Sequence, residues 1–111
     1  MNTITWSEFE AVELRVGTII QVEDFPEAKI PAYKLWVDLG QVGIRKSSAR
    51  LTKLYTKEEL LGKQVLCVCN FPPKQVGPFV SEILVTGFVC DDEEVVLVHP
   101  ERPVPNGLRL K

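Results

Sequence analysis

The 111-residue sequence has little of what most small enzymes depend on. Its single histidine, His99, lies between Val98 and Pro100 near the end. No serine stands in a G-x-S-x-G elbow, and there is neither an H-E-x-x-H pair nor a phosphate-binding Walker loop. Lone titratable residues are usually surface residues, so neither catalysis nor a cofactor is expected. Cysteine is scarce and odd in number, at three, which excludes a disulfide framework and makes a reducing cytoplasm the default setting. No apolar run approaches the ~20 residues of a membrane-spanning helix, so no insertion into a membrane is expected. The first residues, Met1 to Glu8, carry no basic flank followed by an apolar run, so no signal peptide is expected either. Internal repeats and low-complexity segments are absent.

The composition that remains is ordinary for a globular protein, with 45% hydrophobic and 25% charged residues, and the length fits a single domain over 1–111. A chain this short buries roughly two-thirds of its unfolded surface, so dimerisation would help it. The net charge of -2 hides an asymmetry. Between Arg45 and Lys74 seven basic residues face only Glu58 and Glu59, a local charge of +5, and the rest of the chain carries -7. A protein acidic overall can thus present a positive face that attracts phosphate, while the remainder limits non-specific binding. The plain alternative is a solvated surface of uneven charge.

Along the chain, Ser7 and Glu10 fit the S-x-x-E capping pattern, and Trp6, Phe9 and Val12 give a short helix one apolar face. Leu14 to Val22 alternates as a strand, with Leu14, Val16, Thr18, Ile20 and Val22 on one face. Gly17 inside it suggests a bend or bulge. A loop with Pro26 and Pro31 follows, then strands over Tyr33 to Leu39 and Val42 to Ser47. Thr56-Lys57-Glu58-Glu59 is a second capping box. Gln64 to Cys69 is a strand, 70–78 reads as irregular because of its three prolines and glycine, and Ile83 to Val89 and Glu94 to Val98 are further strands. The tail from Pro100 ends in an extended piece, Gly107 to Leu110. Short strands with two small helices, one of them between the third and fourth strands, match an all-β OB-fold: a five-stranded, partly open barrel whose face typically binds oligonucleotides.

Two constellations could carry chemistry. Cys67 and Cys69 alternate on a strand, and Cys90 and His99 could complete a tetrahedral zinc site; the spacing is not C-x2-C, and burial in the core beside Val65 is the expectation, so no metal is assigned. The basic segment Arg45-Lys46-Ser47-Ser48-Ala49-Arg50 combines charges that neutralise phosphate with hydroxyls that bind its oxygens. Lys74, with Phe71 nearby, adds a cation and a ring suited to stacking on a nucleotide. The alternative for Phe71 is a plug at the barrel end.

These blocks resemble the CsaA family, small proteins similar to the tRNA-binding OB-fold domains attached to some aminoacyl-tRNA synthetases. The resemblance is carried by Glu13-Leu14-Arg15-Val16-Gly17-Thr18-Ile19, Phe25-Pro26-Glu27-Ala28-Lys29-Ile30-Pro31, Lys46-Ser47-Ser48-Ala49, Asn70-Phe71-Pro72-Pro73-Lys74, Ser81-Glu82-Ile83-Leu84-Val85 and Pro103-Val104-Pro105-Asn106-Gly107, covering about residues 9–107. The blocks together are specific, and no extra domain is evident, so the free-standing form is expected. The resemblance implies an OB-fold with N- and C-terminal extensions outside the barrel, a homodimer, tRNA binding, and a chaperone role in protein export. It maps the RNA face to Lys46, Ser47, Ser48, Asn70, Lys74, Ser81 and Glu82. Two readings follow: a module that recognises the shape of folded tRNA, or a chaperone holding unfolded or preprotein peptides against an exposed patch of Phe25, Ile30, Tyr33 and Phe79, residues that could equally be dimer core.

Overall fold

One long strand organises the molecule. The computed structural model describes all of residues 1–111, and in it β1 runs from Leu14 to Asp24. It pairs antiparallel with β2 (Tyr33–Asp38) through its second half and with β4 (Gln64–Val68) through its first. β3 (Ile44–Ala49) adds to the far side of β2, and the short β7 (Leu84–Val85) adds to β4. The five-stranded order is therefore β3-β2-β1-β4-β7. Its open edge is nearly closed by a hairpin, β5 (Lys74–Val76) with β6 (Phe79–Ser81), which leads back to β3: the Glu82 N–H donates to the Lys46 carbonyl at 2.8 Å. With helix α2 (Lys57–Leu60) between β3 and β4, this is the OB-fold barrel. A second hairpin, β8 (Gly87–Val89) with β9 (Val95–Leu97), carries the acidic turn.

The core fills the barrel with Ile19, Leu35, Val37, Leu39, Val65, Cys67, Ile83 and Val85, and Leu60 of α2 closes one end. The strict alternation expected along β1 does not hold. A bulge between Ile19 and Gln21 turns Ile19 fully into the core and leaves Ile20 exposed, while Val22 returns to the core side. One extra residue in a strand reverses which face every later side chain takes. Gly17 is not the bulge. It is a place of close packing between strands: a Cβ there would lie 2.5 Å from Val37 Cγ1.

The terminal segments lie outside the barrel. Helix α1 (Trp6–Ala11) is capped by Thr5 with Glu8, two residues before the expected Ser7 with Glu10: the Thr5 hydroxyl accepts from the Glu8 N–H, and the Glu8 carboxylate accepts from the Thr5 N–H. The tail is bound across the start of β1. The Gly107 N–H donates to the Val16 carbonyl at 2.7 Å, Arg15 Nη1 donates to the Gly107 carbonyl at 2.8 Å, and the Gln64 amide bonds both Val104 N–H and Val104 carbonyl. Gly107 has φ +88°, and a Cβ would stand 2.5 Å from the Leu39 carbonyl oxygen, so only glycine fits. The Pro103–Gly107 block therefore fastens the tail to the outside of the barrel at Val16. No helix is long and apolar enough to cross a membrane.

Candidate nucleic-acid interface

The segment 70–78, expected to be irregular, instead holds the β5–β6 hairpin, with the turn at Gly77. Prolines 72, 73 and 78 flank the paired residues and do not interrupt them. This hairpin builds the main groove of the molecule. Lys74 pairs with Ser81 across it, the Ser81 hydroxyl accepts from the Ser48 N–H of β3 at 3.4 Å, and the Glu82 carboxylate accepts from the Lys46 N–H at 3.1 Å. Strand β3 and the hairpin are thus joined through Ser48, Ser81, Lys46 and Glu82.

The groove is about 940 Å³. It is lined by Ser47, Ser48, Ala49 and Ile83, by Lys29 and Ile30 of the Glu27–Ala32 loop, and by Phe71, Pro72 and Lys74. Five of the seven residues that the family resemblance nominates line it: Ser47, Ser48, Lys74, Ser81 and Glu82. They are not equally available. Lys74 is exposed, Ser48, Ser81 and Glu82 are half-buried, and Ser47 is 1% exposed with its hydroxyl donating to the Ser48 carbonyl.

The other two nominated residues lie elsewhere. Lys46 sits beside the groove on the outer face of β3, opposite Trp36, with Nζ 5.1 Å above the centre of the Phe79 ring. Asn70 is used inside the fold: its Oδ1 accepts from the Glu13 N–H at 2.9 Å, and its Nδ2 donates to the Ala11 carbonyl at 2.7 Å. It ties the end of α1 to the start of β1. Sequence reasoning gave too little weight to Lys29. Its signal was the tight Pro26-Glu27-Ala28-Lys29-Ile30-Pro31 loop, stiff enough to hold a cation at a fixed place.

The four residues Phe25, Ile30, Tyr33 and Phe79 do not form an exposed apolar patch. Phe25, Tyr33 and Phe79 are buried within the chain; only Ile30 is exposed, at the groove wall. Phe25 and Phe79 meet edge to face at 5.6 Å, Trp36 packs on Phe79 at 6.0 Å, and Lys34 lies over both phenylalanine rings. Tyr33 belongs to the core, its hydroxyl donating to the Tyr55 carbonyl.

Electrostatically the groove is unpaired. The three ion pairs of the molecule are Arg15–Glu13, Lys57–Asp24 and Arg102–Glu101. None takes up Lys29, Arg50, Lys74, Glu27 or Glu82, all of which line the groove. The cysteines offer no counterpart chemistry. Cys67 is fully buried, and burial raises its thiol well above the ordinary value; Cys69 is half-buried and raised for the same reason. Cys90 is exposed, and no three His, Cys, Asp or Glu side chains gather as metal ligands.

Residues 14–109 match the family model described as "Putative tRNA binding domain". The chain is 42% identical to the chaperone CsaA from Bacillus anthracis str. Ames, whose crystal structure superposes with a TM-score of 0.94 over 99% of this chain and all of that one. CsaA from Picrophilus torridus is similar at 41% identity and a TM-score of 0.91, over 98% of this chain and all of that one. Among curated proteins, the methionine--tRNA ligase of Thermococcus kodakarensis is 37% identical over all 111 residues, and the chain spans 15% of that ligase's length.

Proposed function

This chain belongs to the tRNA-binding-domain family and, within it, to the CsaA proteins, and on that premise we propose that it binds folded tRNA through the groove between β3 and the β5–β6 hairpin. The observation that supports this most is the set of unpaired cations, Lys29, Arg50 and Lys74, lining one groove of a protein that is acidic overall. A cation held by a neighbouring carboxylate has little left for phosphate; these have no such partner. Lys46, beside the groove, extends the positive strip along β3. The Ser48 hydroxyl adds a contact for phosphate oxygens, while the Ser48 N–H and the Ser81 hydroxyl hold β3 to the hairpin, and the curved barrel surface selects folded RNA by shape. In this reading the chain is a binding module and not a catalyst, it works in the cytoplasm where tRNA is found, and residues 1–111 act as one domain.

The test is a pair of substitutions. Lys74→Ala weakens tRNA binding and lowers the slope of log affinity against log salt by about one counterion, with stability changed by less than ~0.5 kcal/mol. Lys111→Ala removes the same charge outside the groove and leaves affinity and slope close to those of the wild type. Equal losses from the two would mean diffuse attraction and no defined site.

The relatives named as chaperones favour a second reading, in which extended polypeptides bind as well. Of Phe25, Ile30, Tyr33 and Phe79, only Ile30 is reachable, so a peptide would share the groove with RNA. Binding of an unfolded polypeptide that is insensitive to salt, and displaced by tRNA, is the expected signature. We further propose that the protein is a homodimer. Helix α1 buries none of its residues, Trp6 is 63% exposed, and Ile4, Val12, Leu108 and Leu110 on the two terminal segments are exposed as well. Arg109 donates to the Glu10 carbonyl and the Leu110 N–H to the Leu14 carbonyl, so the tail and the helix form one surface. A helix this short is marginal by itself, and a second copy is what would cover it.

A further inference from the structure

Glu82 is out of place in a site for phosphate alone. It lines a groove together with three cations, yet it pairs with none of them. Nor is it loosely held. Its own N–H donates to the Lys46 carbonyl at 2.8 Å, and its Oε1 accepts from the Lys46 N–H at 3.1 Å. This reciprocal pair fixes the carboxylate at the junction of β3 and β6. One backbone bond uses only one of the roughly four lone-pair positions a carboxylate offers, so acceptor capacity remains. Phe71, 54% exposed and outside the core cluster, lines the same groove. A large ring left in water in a groove that also holds a fixed acceptor and the cations Lys74 and Arg50 is a combination that duplex RNA does not need. A duplex presents phosphates, and its bases are stacked and paired out of reach.

Resting on the tRNA-binding reading, we propose that the groove takes one unpaired guanine of the folded RNA: its ring stacks on Phe71, its Watson–Crick N–H groups donate to Glu82, and its flanking phosphates meet Lys74 and Arg50. The chemistry of the acceptor selects the base. Guanine offers two adjacent donors, N1–H and the N2 amine, that a carboxylate receives side by side. Uracil offers a single N–H between two carbonyl oxygens, which the carboxylate repels. Adenine and cytosine offer one amine beside a ring acceptor. Hydrogen bonds to an ionised acceptor are among the stronger ones, and stacking adds a contribution every base shares. The groove volume of about 940 Å³ lies within the roughly 300–1,000 Å³ that encloses a drug-sized ligand, a class that includes a nucleotide.

The experiment compares RNA hairpins with the same paired stem and a loop of uridines, the same loop with one guanosine, and the same loop with one inosine, alongside a fully paired duplex with as many phosphates. Binding is read by fluorescence anisotropy at fixed salt. The guanosine loop is expected to bind about tenfold tighter than the uridine loop, with inosine, which lacks the N2 amine, between them. Glu82→Gln keeps an acceptor for the Lys46 N–H and removes the charge, and it should bring the guanosine and uridine loops together. Phe71→Leu should weaken every loop by about tenfold and leave the duplex unchanged. Because Phe71 lies outside the core, this variant remains informative even if Glu82→Gln disturbs the strand junction. Equal binding of duplex and loops, or a guanosine preference that survives Glu82→Gln in a folded protein, would overturn the proposal. If Lys74→Ala weakens tRNA binding selectively while Glu82→Gln leaves base preference unchanged and Phe71→Leu leaves loop affinity unchanged, the groove stands and only the guanine assignment falls.

Discussion

At the scale of single residues, Asn70 and Lys74 show how neighbours in one motif divide between structure and function. Both stand in Asn70-Phe71-Pro72-Pro73-Lys74, and the resemblance nominates both for RNA. Asn70 spends its amide on Glu13 and Ala11, while Lys74 is exposed and unpaired. Asn70→Ala is therefore expected to lower stability by about 1–2 kcal/mol, the worth of two hydrogen bonds to backbone, with tRNA affinity within about twofold of the wild type. Thermal unfolding and a tRNA titration on the same sample check this; a large loss of affinity at unchanged stability would return Asn70 to the binding face. No sequence reading could separate the two residues, because an amide pointing at backbone and one pointing at phosphate are the same letter. The buried state of Cys67, by contrast, was legible from its place between Leu66 and Val68 on an apolar strand.

At the scale of elements, local chemistry was readable where partners are a few residues apart. The Thr56/Glu59 box caps α2 as its pattern requires, each side chain accepting from the other's backbone N–H. The box at α1 exists too, but with Thr5 and Glu8, because Trp6 and not Glu8 begins the helix. Hidden from the sequence were features set by distant contacts: the place of the β1 bulge, which falls between Ile19 and Gln21 in the pairing with β2 and not at Gly17, and the β5–β6 hairpin, whose prolines read as a loop until β3 is seen to receive it. Bonds from Thr56 hold the Glu59 carboxyl below its ordinary value. Its stabilising share is thus complete above that ordinary value and disappears as pH falls through the lower folded one. Glu59→Gln should accordingly melt below the wild type near neutral pH, with the gap closing in acid; a gap that widens as pH falls would contradict the assignment. Trp6→Ala tests the other helix. In sedimentation at micromolar concentration the wild type is expected at twice the 12.5 kDa chain mass and the variant shifted toward the single chain. A wild type found only as the single chain would remove the dimer.

At the scale of the whole molecule, the barrel gathers charges that the sequence separates. The excess of +5 between Arg45 and Lys74 was visible in the sequence; that Arg50 and Lys74 would share a groove with Lys29, from outside that segment, was not, because the loop after β1 and the hairpin after β4 meet only when β3 lies between them. The acids gather elsewhere, notably Asp91 to Glu94 on the β8–β9 turn, which would repel RNA from that side. The account therefore rests on one location for tRNA. Amide chemical-shift mapping of the isotope-labelled protein during a tRNA titration tests it most directly. The account predicts that the largest changes fall on Lys29, Ser48, Arg50, Phe71, Lys74, Ser81 and Glu82, while the amides of Asp91 to Glu94 and Lys111 stay in place. Changes spread evenly over the surface, or centred on the terminal segments with the groove unmoved, would contradict it.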